Sequence, residues 1–300
     1  MALVHTGSSA ADESVSVMDA PVLDSDLAAY FRRIGMPGAE TDAPAPGLAT
    51  LRRIVAGHAR SISYENLDKF TGREVRLDPA TLTAKLVHRA RGGGCFEQNM
   101  LLRGVLDALG YTTTGLAARV LWNRDAGAPM PPRSHMLLQV DLPEGPHIVD
   151  VGFGVLTLTG VLALEPDVEQ ATPHEPFRLR PDGRALVMEA RTGSQWRTLY
   201  RFDLAEQYLA DYEVSSWYNA HHPDSKFVNG LLIGRPDSDR RFTLKGTKSG
   251  GASLAVHHLG GPSERRDLES PAAVRTALEE HFLLDLSELP DLDTALTRLF

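Results

Sequence analysis

The spacing of apolar positions changes twice along this chain. From residue 21 to about 110 they recur at every third or fourth position, as on a helix with one buried face. Leu27, Tyr30, Phe31 and Ile34 form the first stripe, with Asp24-Ser25-Asp26 as its cap and Gly35 as its stop. Residues 36–47 are rich in proline and glycine and read as a loop, and a second helix is expected over 48–59. Asp78 caps a third over 80–90, with Pro79 in its first turn. A fourth starts at Cys95, turns Phe96, Leu101, Leu102, Val105, Leu106 and Leu109 to one face, and ends at Gly110. Residues 1–20 are small, polar and acidic, carry no period, and are expected to be a disordered tail.

Beyond Gly110 the period shortens. Residues 112–122, 134–142, 147–151, 177–180, 185–191 and 196–202 read as strands separated by Pro-Glu-Gly-Pro, Pro-Asp-Gly and Thr-Gly-Ser turns. Short strands at such close spacing predict a barrel or a sandwich. Residues 123–132 form a polar loop with three prolines, of the kind that borders sites. The last third mixes types: helix over 203–211, strands over 227–233, 241–245 and 253–258, then helices over 271–282 and 291–300. The fold class is therefore α+β and multidomain.

Composition narrows the function classes. The chain has 300 residues, 42% apolar and 23% charged, which suits a globular protein with a real core. Its one cysteine excludes an internal disulfide and any multi-cysteine metal site, and is compatible with a reducing compartment. No apolar run approaches the ~18–20 residues of a membrane span, and no secretory signal is visible, so a cytoplasmic protein without a membrane partner is expected. A net charge of −8 argues against nucleic acid, and the basic residues scatter in pairs such as Arg32-Arg33 and Arg240-Arg241.

Chemistry concentrates at Arg91-Gly92-Gly93-Gly94-Cys95. In the first turn of a helix, unpaired amides and the positive end of the macrodipole favour a thiolate. A buried structural cysteine is the competing reading. A nucleophile needs a base with an orienting partner, and eleven histidines leave that choice open. His135 opens a strand just after the proline-rich loop, and Asp150 is a lone carboxylate between Val149 and Val151. A turn over 143–146 would pair Leu142 with His147 and set His135 opposite Gly154. Asp150 would then lie four residues away, roughly 13 Å at ~3.3 Å per residue. A bend, a bulge or a wider loop would have to close that gap, and Gly152 and Gly154 make one plausible. The residues nominate the pair without joining it.

The whole run Arg91-Gly92-Gly93-Gly94-Cys95-Phe96-Glu97-Gln98-Asn99 resembles the signature of the arylamine N-acetyltransferases. Ser134-His135-Met136 and Val149-Asp150-Val151-Gly152-Phe153-Gly154 follow in that family's order, as do Tyr64-Glu65-Asn66-Leu67-Asp68, Trp217-Tyr218-Asn219 and His222-Pro223-Asp224-Ser225. The resemblance runs from about residue 22 to the C-terminus. It implies a papain-like Cys95–His135–Asp150 triad, with a helical bundle over 21–112, a β-barrel over 113–210 and an α/β lid over 211–300. It implies ping-pong acetyl transfer from acetyl-CoA to an arylamine, arylhydrazine or arylhydroxylamine through an acetyl-cysteine, without a metal. Gly152, Phe153 and Gly154 would line the acyl pocket, with Tyr64 facing the amine. Trp217, Tyr218 and His222 are candidates for the CoA cleft, and Glu65 with Arg91 for a structural ion pair. The chain departs from the family at Ser63-Tyr64, where Pro-Phe is usual. An amide synthase of the same fold, a cysteine hydrolase and a non-enzymatic binding module remain as alternatives, and a homodimer remains open.

Overall fold

The computed structural model describes residues 24–39, 41–125 and 127–300; the expected tail over 1–20 lies outside the described residues. Five helices come first: α1 (Asp24–Arg33), α2 (Leu48–Ser61), α3 (Leu67–Thr71), α4 (Pro79–Thr83) and α5 (Cys95–Ala108). Asp78 caps α4 by accepting from the Thr81 amide at 3.0 Å. A single π-helical turn, Ala84–His88, then widens the chain, so the helix expected over 80–90 is shorter and irregular.

Seven antiparallel strands follow: β1 (Thr112–Val120), β2 (Arg133–Leu142), β3 (Gly145–Val149), β4 (Leu162–Ala163), β5 (Phe177–Asp182), β6 (Ala185–Thr192) and β7 (Gln195–Phe202). They form one sheet in the order β4-β3-β2-β1-β7-β6-β5. The segment after β4 reaches the far edge, where Pro166 bridges Leu179 and Gln170 bridges Phe177, so the sheet curls almost into a barrel. The last third holds α6 (Leu209–His221), α7 (Lys226–Asn229), a four-stranded sheet of β8 (Gly230–Pro236), β9 (Arg240–Thr247), β10 (Ala252–His258) and β11 (Ser263–Leu268), then α8 (Pro271–Phe282) and α9 (Leu292–Leu296). Two expectations fail here. Residues 203–208 are not helical, because the Asp211 carboxylate accepts from the Tyr208 amide at 3.0 Å and starts α6 only at Leu209. The strand expected over 227–233 begins later, since residues 226–229 make the turn of α7. Among the described residues no helix is long and apolar enough to cross a membrane.

Buried apolar side chains gather in three clusters: under α1, α2, α4 and α5 and one face of β1–β3, inside the curled sheet, and between the second sheet, α3 and α8. The extended segment before α3 joins them. Tyr64 exchanges backbone hydrogen bonds with Gly234 of β8, at 2.9 and 3.0 Å, while its neighbours pair with Gly93 of the glycine turn. That approach is close: a Cβ on Gly92 would stand 2.0 Å from the Ser63 carbonyl oxygen.

Charge locks the turn from below. Arg91 Nη2 meets Glu65 Oε1 at 2.6 Å and Asp68 Oδ1 at 3.0 Å, and Lys85 Nζ meets Asp68 at 2.5 Å and Glu97 at 2.6 Å. Glu65 and Arg91 are buried, so each charge is tolerable only because the other is there. Glu65→Gln should cost about 3–5 kcal/mol of stability, read from the urea midpoint at constant slope. A loss below ~1 kcal/mol would mark the pair as a solvated one.

Candidate active site

Cys95 is the first residue of α5, whose opening amides have no partners within the helix. Glu97 Oε2 takes the Gly94 amide at 2.8 Å, which leaves those of Cys95 and Phe96 at the helix mouth. The sulfur lies 3.6 Å from the Ser134 carbonyl oxygen, receives the Met136 amide, and shares a hydrogen bond with His135. His135 Nε2 in turn meets Asp150 Oδ2 at 2.7 Å, so Nδ1 is the nitrogen left for the sulfur. Asp150 is fully buried, and its Oδ1 accepts from Asn99 Nδ2 at 3.1 Å and from the Gly152 amide at 2.9 Å.

The gap expected between His135 and Asp150 closes at the hairpin, not at a bulge. Only Pro143 and Glu144 separate the strands, so Leu142 pairs with Gly145 and Leu138 with Val149. The register differs by two residues from a turn over 143–146. Asp150 follows directly and falls near Leu137, within reach of the imidazole two residues away. Gly145, at φ 116°, supplies the backbone this short turn needs. Gly152 matters for a different reason, because a Cβ there would stand 2.7 Å from Cys95 Cα and 2.8 Å from Asn99 Nδ2. Only glycine lets this loop lie against the start of α5.

The electrostatics follow from these contacts. Burial alone would raise the Cys95 thiol, but the His135 hydrogen bond and charge, then Lys69 and the Met136 amide, hold it below its ordinary value. Burial would likewise lower His135, yet the Asp150 charge and hydrogen bond raise it to about 10. For Asp150, burial is outweighed by His135, the Gly152 amide and Asn99, and its carboxyl stays low. A thiolate–imidazolium pair is the state these groups favour near neutral pH.

The sulfur opens into a cleft of about 360 Å³. Tyr64, Gly152 and Phe153 line it with Cys95 and His135; Trp122, Arg124, Pro131 and Pro132 come from the proline-rich loop region, and Tyr218, Lys226 and Phe227 from α6 and α7. Other expected residues lie elsewhere. Gly154, at φ 94°, packs under the Tyr64 ring and does not line the cleft. Trp217 is 64% exposed and stacks on His221; His222 stacks on Tyr218 at 4.4 Å and stays outside the lining. Because Trp217 precedes Tyr218 by one position on a helix, its ring turns about 100° away from the cleft. Two residues escaped the sequence reading. Asn99 also donates to the Met136 carbonyl at 2.8 Å, and Tyr200 packs its ring 4.9 Å from His135. Asn99 had a signal, since it lies one turn after Cys95 on the same face; Tyr200 had none. Among the described residues no cluster of three His, Cys, Asp or Glu side chains could hold a metal ion.

The pH dependence of Cys95 alkylation by iodoacetamide checks this electrostatic picture. Since the thiol is depressed, alkylation should persist well below the free-thiol range of about 8.5 and fall only as acid protonates the sulfur. Asp150→Asn removes the charge that keeps the imidazole protonated, so the acid limb should move up by about one unit or more, or tenfold in rate at a fixed pH on that limb. An unmoved limb would detach Asp150 from the sulfur.

Comparison with known proteins gives this geometry its context. The family model described as N-acetyltransferase matches residues 47–290. The arylamine N-acetyltransferase of Mycolicibacterium smegmatis is 42% identical over 271 residues, covering 89% of this chain and 95% of the relative. A Salmonella typhimurium protein named arylamine N-acetyltransferase / N-hydroxyarylamine O-acetyltransferase is 36% identical, covering 89% and 92%. The Mycobacterium marinum arylamine N-acetyltransferase solved in complex with CoA superposes with a TM-score of 0.85 at 37% identity, covering 91% of this chain and 99% of that one. The chain belongs to the arylamine N-acetyltransferase family.

Proposed function

We propose that this protein moves an acetyl group from acetyl-CoA to arylamines, arylhydrazines and arylhydroxylamines through an acetyl-Cys95 intermediate. The observation that carries the reading is the unbroken line of contacts from the Cys95 sulfur through His135 to Asp150 at the floor of an open cleft. In the first half-reaction the thiolate attacks the thioester carbonyl. The bond to the CoA sulfur breaks, and the departing thiolate takes the proton from His135. In the second, a neutral amine attacks acetyl-Cys95, His135 Nδ1 accepts the amine proton, and the carbon–sulfur bond breaks to restore the thiolate. Asp150 holds the imidazole in one orientation throughout and stabilises its protonated form. In this reading, backbone amides at the start of α5, those of Cys95 and Phe96, serve the oxyanion of each tetrahedral intermediate.

The two relatives' names support the amine and hydroxylamine classes, and the CoA complex supports the acyl donor. We read residues 21–112, 113–210 and 211–300 as bundle, barrel and lid, with Tyr218 on the CoA side of the cleft. A single unpaired cysteine used as nucleophile fits a reducing, cytoplasmic setting.

Intact-mass analysis tests the intermediate. Mixing with acetyl-CoA should add one acetyl group, an arylamine should remove it, and Cys95→Ala should gain none. Acylation only by a carrier-protein thioester would shift the assignment to an amide synthase.

Tyr64 tests specificity. It lines the cleft at 5% exposure, and burial, with the Cys95 charge next, raises its phenol so that the hydroxyl stays a donor. Tyr64→Phe should cut kcat/KM for arylamines bearing a polar ring substituent roughly fivefold relative to unsubstituted ones, the worth of about 1 kcal/mol for one hydrogen bond. Equal changes for both classes would remove Tyr64 from recognition.

A further inference from the structure

Lys69 is a buried cation that the reaction described above does not use. Only 4% of it is exposed. Its two neighbours in the buried charge cluster are committed: Lys85 to Asp68 and Glu97, Arg91 to Glu65 and Asp68. Lys69 Nζ makes no ion pair or hydrogen bond with a side chain or backbone group among the described residues. The Phe227 ring in the cleft wall lies 5.4 Å from it.

Its position is defined by a glycine. A Cβ on Gly94 would stand 2.5 Å from Lys69 Nζ. Gly94 has φ −76° and ψ −179°, extended backbone that any residue adopts, so the conformation does not demand glycine. What the missing side chain provides is room for an ammonium directly before Cys95. There the ammonium faces the positive end of α5, which repels it. A buried cation in that place lowers the free energy only if an anion stands opposite.

We propose that Lys69 is a positioning residue for the thiolate: its ammonium, admitted by Gly94 directly before Cys95, holds the sulfur anionic together with His135. The other titratable groups around the sulfur are His135 and Asp150 from the barrel, Tyr64 from the segment before α3, Lys226 from α7 and Glu97 from α5 itself. Glu97 is neutralised by Lys85 and the Gly94 amide, and Lys226 is solvent-exposed. Among the described residues, Lys69 is the buried lysine whose charge bears on this sulfur. The charge also suits the cycle, since acetylation removes the thiolate and leaves an uncompensated cation that favours the sulfur's return as a leaving group.

This inference rests on the nucleophilic role of Cys95, and the test keeps the two apart. Iodoacetamide alkylation is followed against pH for the native protein, Lys69→Met and Lys69→Arg, with acetylation by acetyl-CoA recorded in parallel. The methionine variant fills the same space without charge, so its acid limb should move up by about half to one unit, slowing alkylation about three- to tenfold on that limb. The arginine variant should stay near the native profile. Lys69→Gln is read in the same way should the methionine variant fail to fold. Superposed profiles overturn the proposal, and so does an equal shift in the methionine and arginine variants, which would make Lys69 a packing element. A shifted limb in a protein that acetyl-CoA never labels would support Lys69 while sinking the acetyltransferase cycle.

Discussion

Asp150 is the constraint around which this structure closes. Its carboxylate is wholly buried, and an unpaired buried charge would destabilise the fold severely. Every partner that prevents this comes from a different element: His135 from β2, the Asn99 amide from α5 and the Gly152 N–H from the loop after β3. The curled sheet and the Cys95 helix cannot part without breaking the Asn99 hydrogen bond to that carboxylate. The same contacts that satisfy it also orient the imidazole toward the sulfur. One buried group therefore ties the packing of these elements to the orientation of the imidazole beside the sulfur, and Gly152 makes the arrangement possible by bringing the loop against Cys95 Cα.

Charge below the glycine turn plays a related part at longer range. Leu67 and Phe70 of α3 pack into the core of the C-terminal sheet, while Glu65, Asp68 and Lys69 of the same short stretch point toward α5 and its turn. A segment of a few residues thus couples two cores to the mouth of one helix. Buried ion clusters tend to fix geometry more than they add stability. Here the geometry fixed is the entry of the chain into α5, where Cys95 stands.

Much of this was legible in the sequence, and the failures have physical causes. The helical period and Gly110 bounded α5 correctly, because burial on one face leaves a clear 3.6-residue signature. Asp150 stood out because a carboxylate between two valines has no bland explanation. Its distance from His135 was misjudged because turn length is set by backbone angles, here the positive φ of Gly145, and not by the run of turn-forming residues. The helix expected over 203–211 has helix-forming residues throughout, but the cap at Asp211 decides where α6 begins. Trp217 drew attention as an aromatic beside Tyr218, and helical rotation sent it to solvent. Lys69 drew none: a lysine after an aspartate looks like a solvated pair until three dimensions bury it.

The charge arrangement also bears on which nitrogen this cleft can accept, on the reading proposed above. Once Cys95 carries an acyl group, the thiolate is gone and His135 has lost one of the two anions that kept it protonated. It can then act as a base, provided no new cation is brought beside it. An alkylamine arrives mostly as an ammonium and would face Lys226 and Arg124 in the cleft lining, where Asp224 is the one carboxylate besides the buried charges behind it. An arylamine arrives neutral, with its lone pair free and its ring matched to Phe153, Tyr64 and Phe227. On that reading, a preference for weakly basic nitrogen would follow from the local field as well as from the shape of the aromatic walls.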